Sequence, residues 1–242
     1  GWGLTSSYLD DQDVLMERVN PDNNQQYATP EGWKDFETRR SIITVKGAEP
    51  VTITLRWSDN GPILPGSHYN LATVTPAGHV AALSWTAFSA RDTSVSSAIH
   101  LMQADSIAAG IEAGRLFVAP AQNLTLADST GIAFQLIGAM PRRDPASETQ
   151  GRMPSLGEYA QNRWQGMFDY SHNPRVVNPQ SGILGNTNNK TVDAPFPDHV
   201  SFVWGDTHRI QRWLTLMQTR EVHTRESFIE AQLDTVSPVA RF

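Results

Sequence analysis

The chain has 242 residues, 25 acidic against 19 basic, a net charge of −6 with neutral histidines, and 39 % hydrophobic residues. That is the make-up of a folded protein long enough to bury a sizeable core. The acidic balance argues against nonspecific binding to nucleic acid or an anionic membrane surface, because both require a basic excess. With no cysteine there is no disulfide, thiolate metal site or cysteine nucleophile.

In chain order, the opening "GWGLTSSYLDDQDVLMERV" has no initiating Met and reads as the middle of a strand, while the chain stops at "PVARF" shortly after a helical segment. A piece of a longer polypeptide is expected. Residues 40–57, "RSIITVKGAEPVTITLRW", hold two β-branched runs around Lys46–Pro50 and predict a hairpin. "DNGPILPG" follows with turn chemistry at Asn60-Gly61 and prolines that block a helix. From Ser96 to Gly114, Ile99, Met102, Ile107 and Ile111 fall at roughly helical spacing, which predicts one amphipathic helix ending near Gly110 or Gly114. "LTLADSTGIAFQLIGAMP" predicts a second hairpin about Ser129-Thr130-Gly131. Residues 142–199 are rich in Pro, Gly, Asn and Asp, so regular structure should be sparse. Ile210, Trp213, Leu214 and Met217 form a core-facing helical stripe, and Thr224 is the expected N-cap of a further helix. No apolar run approaches the roughly 20 residues of a membrane helix, and the first residues lack a signal-peptide layout.

Three constellations carry chemistry. "YLDDQD" places Asp10, Asp11 and Asp13 within four residues, a hard-oxygen supply of the kind calcium uses, though without EF-hand spacing; a solvated acidic turn is the alternative. Asp198 sits among prolines in "PFPDHV" and could join that cluster if the two segments meet. "NPQSGILGNTNN" puts four asparagines into twelve residues. An amide N–H is a fixed, uncharged donor suited to a developing oxyanion, and Asn-rich turns that cap their own backbone are the alternative. The histidines form no zinc-hydrolase pair, His208 reads as a helix-end residue, and neither a serine elbow nor a phosphate-cradling glycine loop is present.

The blocks "GWGLTSSYLDDQDVLMERVNPDN", "AQNLTLADSTGIAFQLIGAMPRR" and "NPQSGILGNTNN" with the downstream "FPDHVSFVWGDTHRI" resemble, in order, those of penicillin acylase (penicillin amidase) family β-subunits. The resemblance covers nearly the whole chain. It implies an α+β fold of the layered αββα N-terminal-nucleophile hydrolase type, with antiparallel sheets flanked by helices. Residues 1–242 would then be a single β-subunit fragment, its central part. In such enzymes a serine exposed at the start of the β-subunit attacks an amide carbonyl, with its own α-amino group as base. Residue 1 here is Gly, so the isolated chain is expected not to turn over amides.

By the same resemblance, Asn188 is the side-chain donor of the oxyanion hole and the Ser6 backbone N–H the second donor. Arg209 helps hold that neighbourhood, Tyr8 lines the acyl pocket, and Asn186 and Asn189 are structural. Asp10, Asp13 and Asp198, with backbone oxygens of Gln12 and Gly151, would hold a structural calcium. The expected partners are the remaining segments of the parent, namely the α-subunit and the nucleophile-bearing β-subunit N-terminus. The expected substrate is a small-molecule amide: a penicillin or cephalosporin side chain, an N-acyl-homoserine lactone or similar. A periplasmic or secreted location follows from the resemblance alone. A noncatalytic calcium-binding β-rich module on the same scaffold is the rival reading.

Overall fold

The computed structural model describes residues 1–192 and 200–241. In chain order the strands are β1 (Trp2–Ser6), β2 (Gln12–Asn20), β3 (Asn23–Thr29), β4 (Gly32–Asp35), β5 (Glu37–Ile43), β6 (Val51–Ser58), β7 (Gly61–Leu64), β8 (His79–Trp85), β9 (Gln122–Asp128), β10 (Gly131–Ile137), β11 (Pro141–Arg143), β12 (Ser155–Leu156), β13 (Trp164–Met167) and β14 (Arg175–Val177). The helices are α1 (Ser94–Gln103), α2 (Ile107–Gly114), α3 (His208–Gln218) and α4 (Arg225–Gln232). The chain forms two units: one of Gly1–Leu9, Asp92–Ala139 and Asp169–Phe242, the other of Asp10–Arg91 and Met140–Phe168.

The first unit is built on an antiparallel sheet in the order β1-β9-β10-β14. Leu124 and Leu126 alternate on β9, Ala133 and Ile137 lie on β10, and together with Leu101 of α1 and with Ile107 and Ala113 of α2 they form one buried cluster. Two glycines let α2 lie flush on the sheet. A Cβ on Gly110 would come within 2.6 Å of Leu126 Cδ2, and one on Gly114 within 2.5 Å of Ile137 Cγ2. The β9–β10 hairpin turns where its sequence predicts, with Asp128 opposite Gly131.

The single helix expected over 96–114 is two helices. Ala104 is extended (ψ 124°), which ends α1, and Ser106 restarts the helix as an extended N-cap whose Oγ accepts the Ala109 N–H at 3.2 Å. Asp128 Oδ2 accepts the Ile107 N–H at 2.8 Å, so the sheet itself caps α2. Competing caps overrode a continuous apolar spacing. Thr224 caps α4 in a reciprocal capping box with Ser227, as its sequence predicts. The α3 stripe is only partly buried: Met217 is in the core, while Leu214 is exposed. Trp213 instead lies directly over Gly185, where no Cβ could be accommodated.

The second unit is a larger sheet in the order β4-β3-β2-β8-β7-β6-β5, with the two-residue β12 added in parallel to β2. The predicted 40–57 hairpin is β5–β6, paired from Glu37↔Trp57 to Ile43↔Val51. β2 is an interior strand, flanked by β3, β8 and β12, and Leu15, Met16 and Glu17 are all buried on it. Among the described residues of 142–199, regular structure is limited to short strands and two three-residue 3-10 turns, as expected; β13 pairs with β11 as a two-stranded ribbon.

Candidate functional site

In the first unit, β1 ends at Ser6, whose register partner on β9 is Gln122, and the Ser7 N–H donates to the Ala121 carbonyl at 3.2 Å. The asparagine-rich loop reaches this strand end. Asn188 Nδ2 donates to the Ser6 carbonyl at 2.8 Å, and Arg209 Nη1, in the first turn of α3, donates to Asn188 Oδ1 at 3.1 Å. Both ends of the amide are therefore assigned: its oxygen faces a guanidinium and its nitrogen faces a carbonyl. The Nδ2 group carries two hydrogens, and the second has no acceptor among the described residues. Asn188 itself is held at φ 62°.

The neighbouring asparagines have separate tasks. Asn186 Oδ1 accepts from the Asn188 N–H at 2.8 Å, Thr5 Oγ1 at 2.8 Å and Asn123 Nδ2 at 3.0 Å. Asn189 Oδ1 accepts the Thr187 N–H, and Asn178 Oδ1 accepts the Ile132 N–H at the edge of β10. Tyr8 meets Trp204 edge to face, with ring centroids 6.2 Å apart, and the backbone at Gly205 passes close to its hydroxyl. His208 starts α3, its N–H bound to Asp206 Oδ1.

In the second unit, Asp13 on β2 is buried and receives three donors: Arg143 Nη2 at 2.7 Å, Arg143 Nε at 3.0 Å and Trp164 Nε1 at 2.7 Å. Arg143 and Trp164 are register partners across β11–β13, so the ribbon presents both to the same carboxylate. Arg143 also donates to the Asp10 carbonyl at 2.7 Å. Gly151, at φ 82°, runs so close that a Cβ there would lie 2.5 Å from Asp13 Oδ1. The expected calcium residues Asp10, Asp13 and Gly151 are thus neighbours, with Gln12 beside them in sequence. A carboxylate has about four lone-pair sites, and three of those on Asp13 are taken, which leaves one for any further partner. Among the described residues no three His, Asp or Glu side chains form a metal-ligand group, and Asp198 lies outside the described residues.

The penicillin amidase family model matches residues 1–242. The chain belongs to the penicillin amidase family. Within it, the chain is 27 % identical over 241 residues to the acyl-homoserine lactone acylase QuiP of Pseudomonas aeruginosa, covering 98 % of this chain and 28 % of that protein. It is 28 % identical over 221 residues to the penicillin G acylase of Escherichia coli, covering 86 % of this chain and 24 % of that one. The fold matches a thermostable penicillin G acylase from Alcaligenes faecalis with a TM-score of 0.80 at 21 % identity, over 95 % of this chain and 40 % of the solved one. The chain thus spans about a quarter of the curated relatives' length. The mixed helical and antiparallel-sheet architecture expected from the sequence is the one found.

Sequence reasoning missed Asn123, Arg143 and Trp164. An asparagine just inside a strand is a signal in itself, because Asn is depleted in strands; Asn123, the second residue of β9, is 2 % exposed. The convergence of Arg143 and Trp164 depends on the β11–β13 register, for which no local pattern exists.

Proposed function

We propose that this chain is the central part of the β-subunit of an acylase that hydrolyses the amide between an acyl group and an amine. The class fits the names of its relatives, a penicillin G acylase and an acyl-homoserine lactone acylase. The nucleophile is an N-terminal serine supplied by a segment outside this chain, and the α-subunit completes the enzyme. The chain's own contribution is to hold the oxygen of the attacked carbonyl. The Nδ2 amide of Asn188 and the backbone N–H of Ser6 are the two donors, Arg209 orients the amide, and Tyr8 contacts the acyl group. A tetrahedral oxyanion gains most from donors fixed before it forms. The supporting observation is the 2.8 Å bond that ties Asn188 Nδ2 to the peptide of Ser6, because it puts both proposed donors at one strand end.

Asp10 and Asp13, with the backbone oxygens of Gln12 and Gly151, are proposed to hold a structural calcium. On the family resemblance, the enzyme works in the periplasm or outside the cell.

The deciding experiment is Asn188→Ala in the complete parent enzyme. Loss of one oxyanion donor is expected to lower kcat by about 10²–10³-fold with KM little changed. An undiminished kcat, or unfolding without a kinetic effect in the folded fraction, rejects the assignment and favours a noncatalytic module.

A further inference from the structure

Asn188 adopts a left-handed backbone at φ 62°, a conformation that asparagine tolerates better than most residues and that its hydrogen bonds fix here. The backbone N–H of Asn188 is held by one atom, Asn186 Oδ1. That atom is itself clamped by Thr5 Oγ1 from β1 and Asn123 Nδ2 from β9. Thr5 and Asn123 are cross-strand partners, so the clamp belongs to the sheet rather than to the loop. Asn123 Nδ2 also lies 3.2 Å from the Ser6 carbonyl, the same oxygen that accepts from Asn188. Meanwhile Asn123 Oδ1 is buried with no partner among the described residues. Leaving a buried carbonyl without a partner is unfavourable, so what Asn123 contributes here is its donor group, which reaches Thr5, Ser6 and Asn186.

We propose that Asn186, gripped by Thr5 and Asn123, is a positioning residue that sets the Asn188 amide against the Ser6 peptide for catalysis. This rests on the reading of Asn188 as an oxyanion donor. Asn186 touches no substrate; it acts through Asn188 alone. Misplacing a catalytic group by about 1 Å costs on the order of 10²-fold in rate, whereas the ground-state complex is little affected.

The test is a double-mutant cycle on kcat in the complete parent enzyme. Asn186→Ala is expected to lower kcat roughly 10–100-fold, with KM within about twofold. In the Asn188→Ala background the same change should cost less than about threefold, because the group it positions is gone. An equal loss in both backgrounds, or no loss in the first, overturns the positioning role while leaving Asn188 as donor. If Asn188→Ala alone leaves kcat intact, the donor reading falls and this inference falls with it. Should Asn186→Ala fail to fold, Thr5→Val and Thr5→Ser replace it. Valine removes the hydroxyl that grips Asn186 and should lower kcat several-fold, while serine keeps the hydroxyl and should recover most of it. Equal kcat for the two variants overturns the proposal.

Discussion

Glu17 has no exposed surface and lies on β2, an interior strand of the larger sheet. Its Oε1 accepts from Ser58 Oγ at 2.6 Å and Asn60 Nδ2 at 2.8 Å, and its Oε2 faces Gly157 with no partner among the described residues. Desolvation outweighs those two bonds and the field of Arg163, so the carboxyl titrates above the usual range. The folded state then keeps a proton that the unfolded chain has released. The stability it contributes is complete below the ordinary carboxylate pKa and is lost as pH rises through the raised value. Glu17→Gln keeps an acceptor for Ser58 and Asn60 and removes the charge. Its melting temperature should fall less between pH 5 and pH 8 than that of the wild type, leaving it about a few degrees ahead at pH 8. Parallel pH profiles from circular-dichroism melts reject this account. Nothing local marks Glu17 as buried; its fate is set by which face of β2 turns inward. The asparagine cluster, by contrast, was legible as a group, but the partners that Asn178, Asn186 and Asn189 bind were not.

At the level of elements, hairpins and caps could be read because their signals are local. β5–β6, β9–β10 and the Thr224 cap each lie within one continuous stretch whose turn or cap residues are in plain view. The break between α1 and α2 could not be read from spacing, since half of its cause lies about twenty residues downstream in Asp128. That carboxylate closes the β9–β10 turn, with Oδ1 accepting from Thr130 Oγ1, the Thr130 N–H and the Gly131 N–H, while Oδ2 caps α2 at Ile107. The Thr130 hydroxyl foremost, then the Ile107 amide, hold its pKa down at about 2. A depressed carboxylate stabilises the fold above its unfolded pKa, and that contribution disappears as pH falls toward about 2. Asp128→Ala removes the turn and the cap together. It should lower the melting temperature at pH 7 by about a few degrees, and the gap to the wild type should close at the acid end. A gap that stays constant down to pH 2 would show that the charge has no part in it.

For the whole molecule, thermal unfolding is where the proposed calcium site becomes measurable, because the residues that would hold the ion in the second unit come from far apart in sequence. Asp10, Gln12 and Asp13 precede Gly151 by more than a hundred residues, and β2, β11 and β13 bring Asp13, Arg143 and Trp164 together. The sequence could suggest the acidic residues but not that Asp13 is already paired with a buried arginine, so the ion competes for, or shares, a carboxylate that carries three N–H donors. Binding to the folded state alone at a hundredfold excess over Kd adds roughly 2.7 kcal/mol. For a chain of this length that corresponds to a rise of about 5–10 °C if unfolding is a single transition. Calcium at millimolar concentration should therefore raise the calorimetric melting temperature, and a chelator should reverse the rise. Asp10→Asn is the informative variant: it removes a proposed ligand without stripping Arg143 of Asp13, so it should abolish the calcium response. A melting temperature indifferent to calcium and chelator means that the Arg143 pair alone satisfies Asp13 and that this chain holds no ion there.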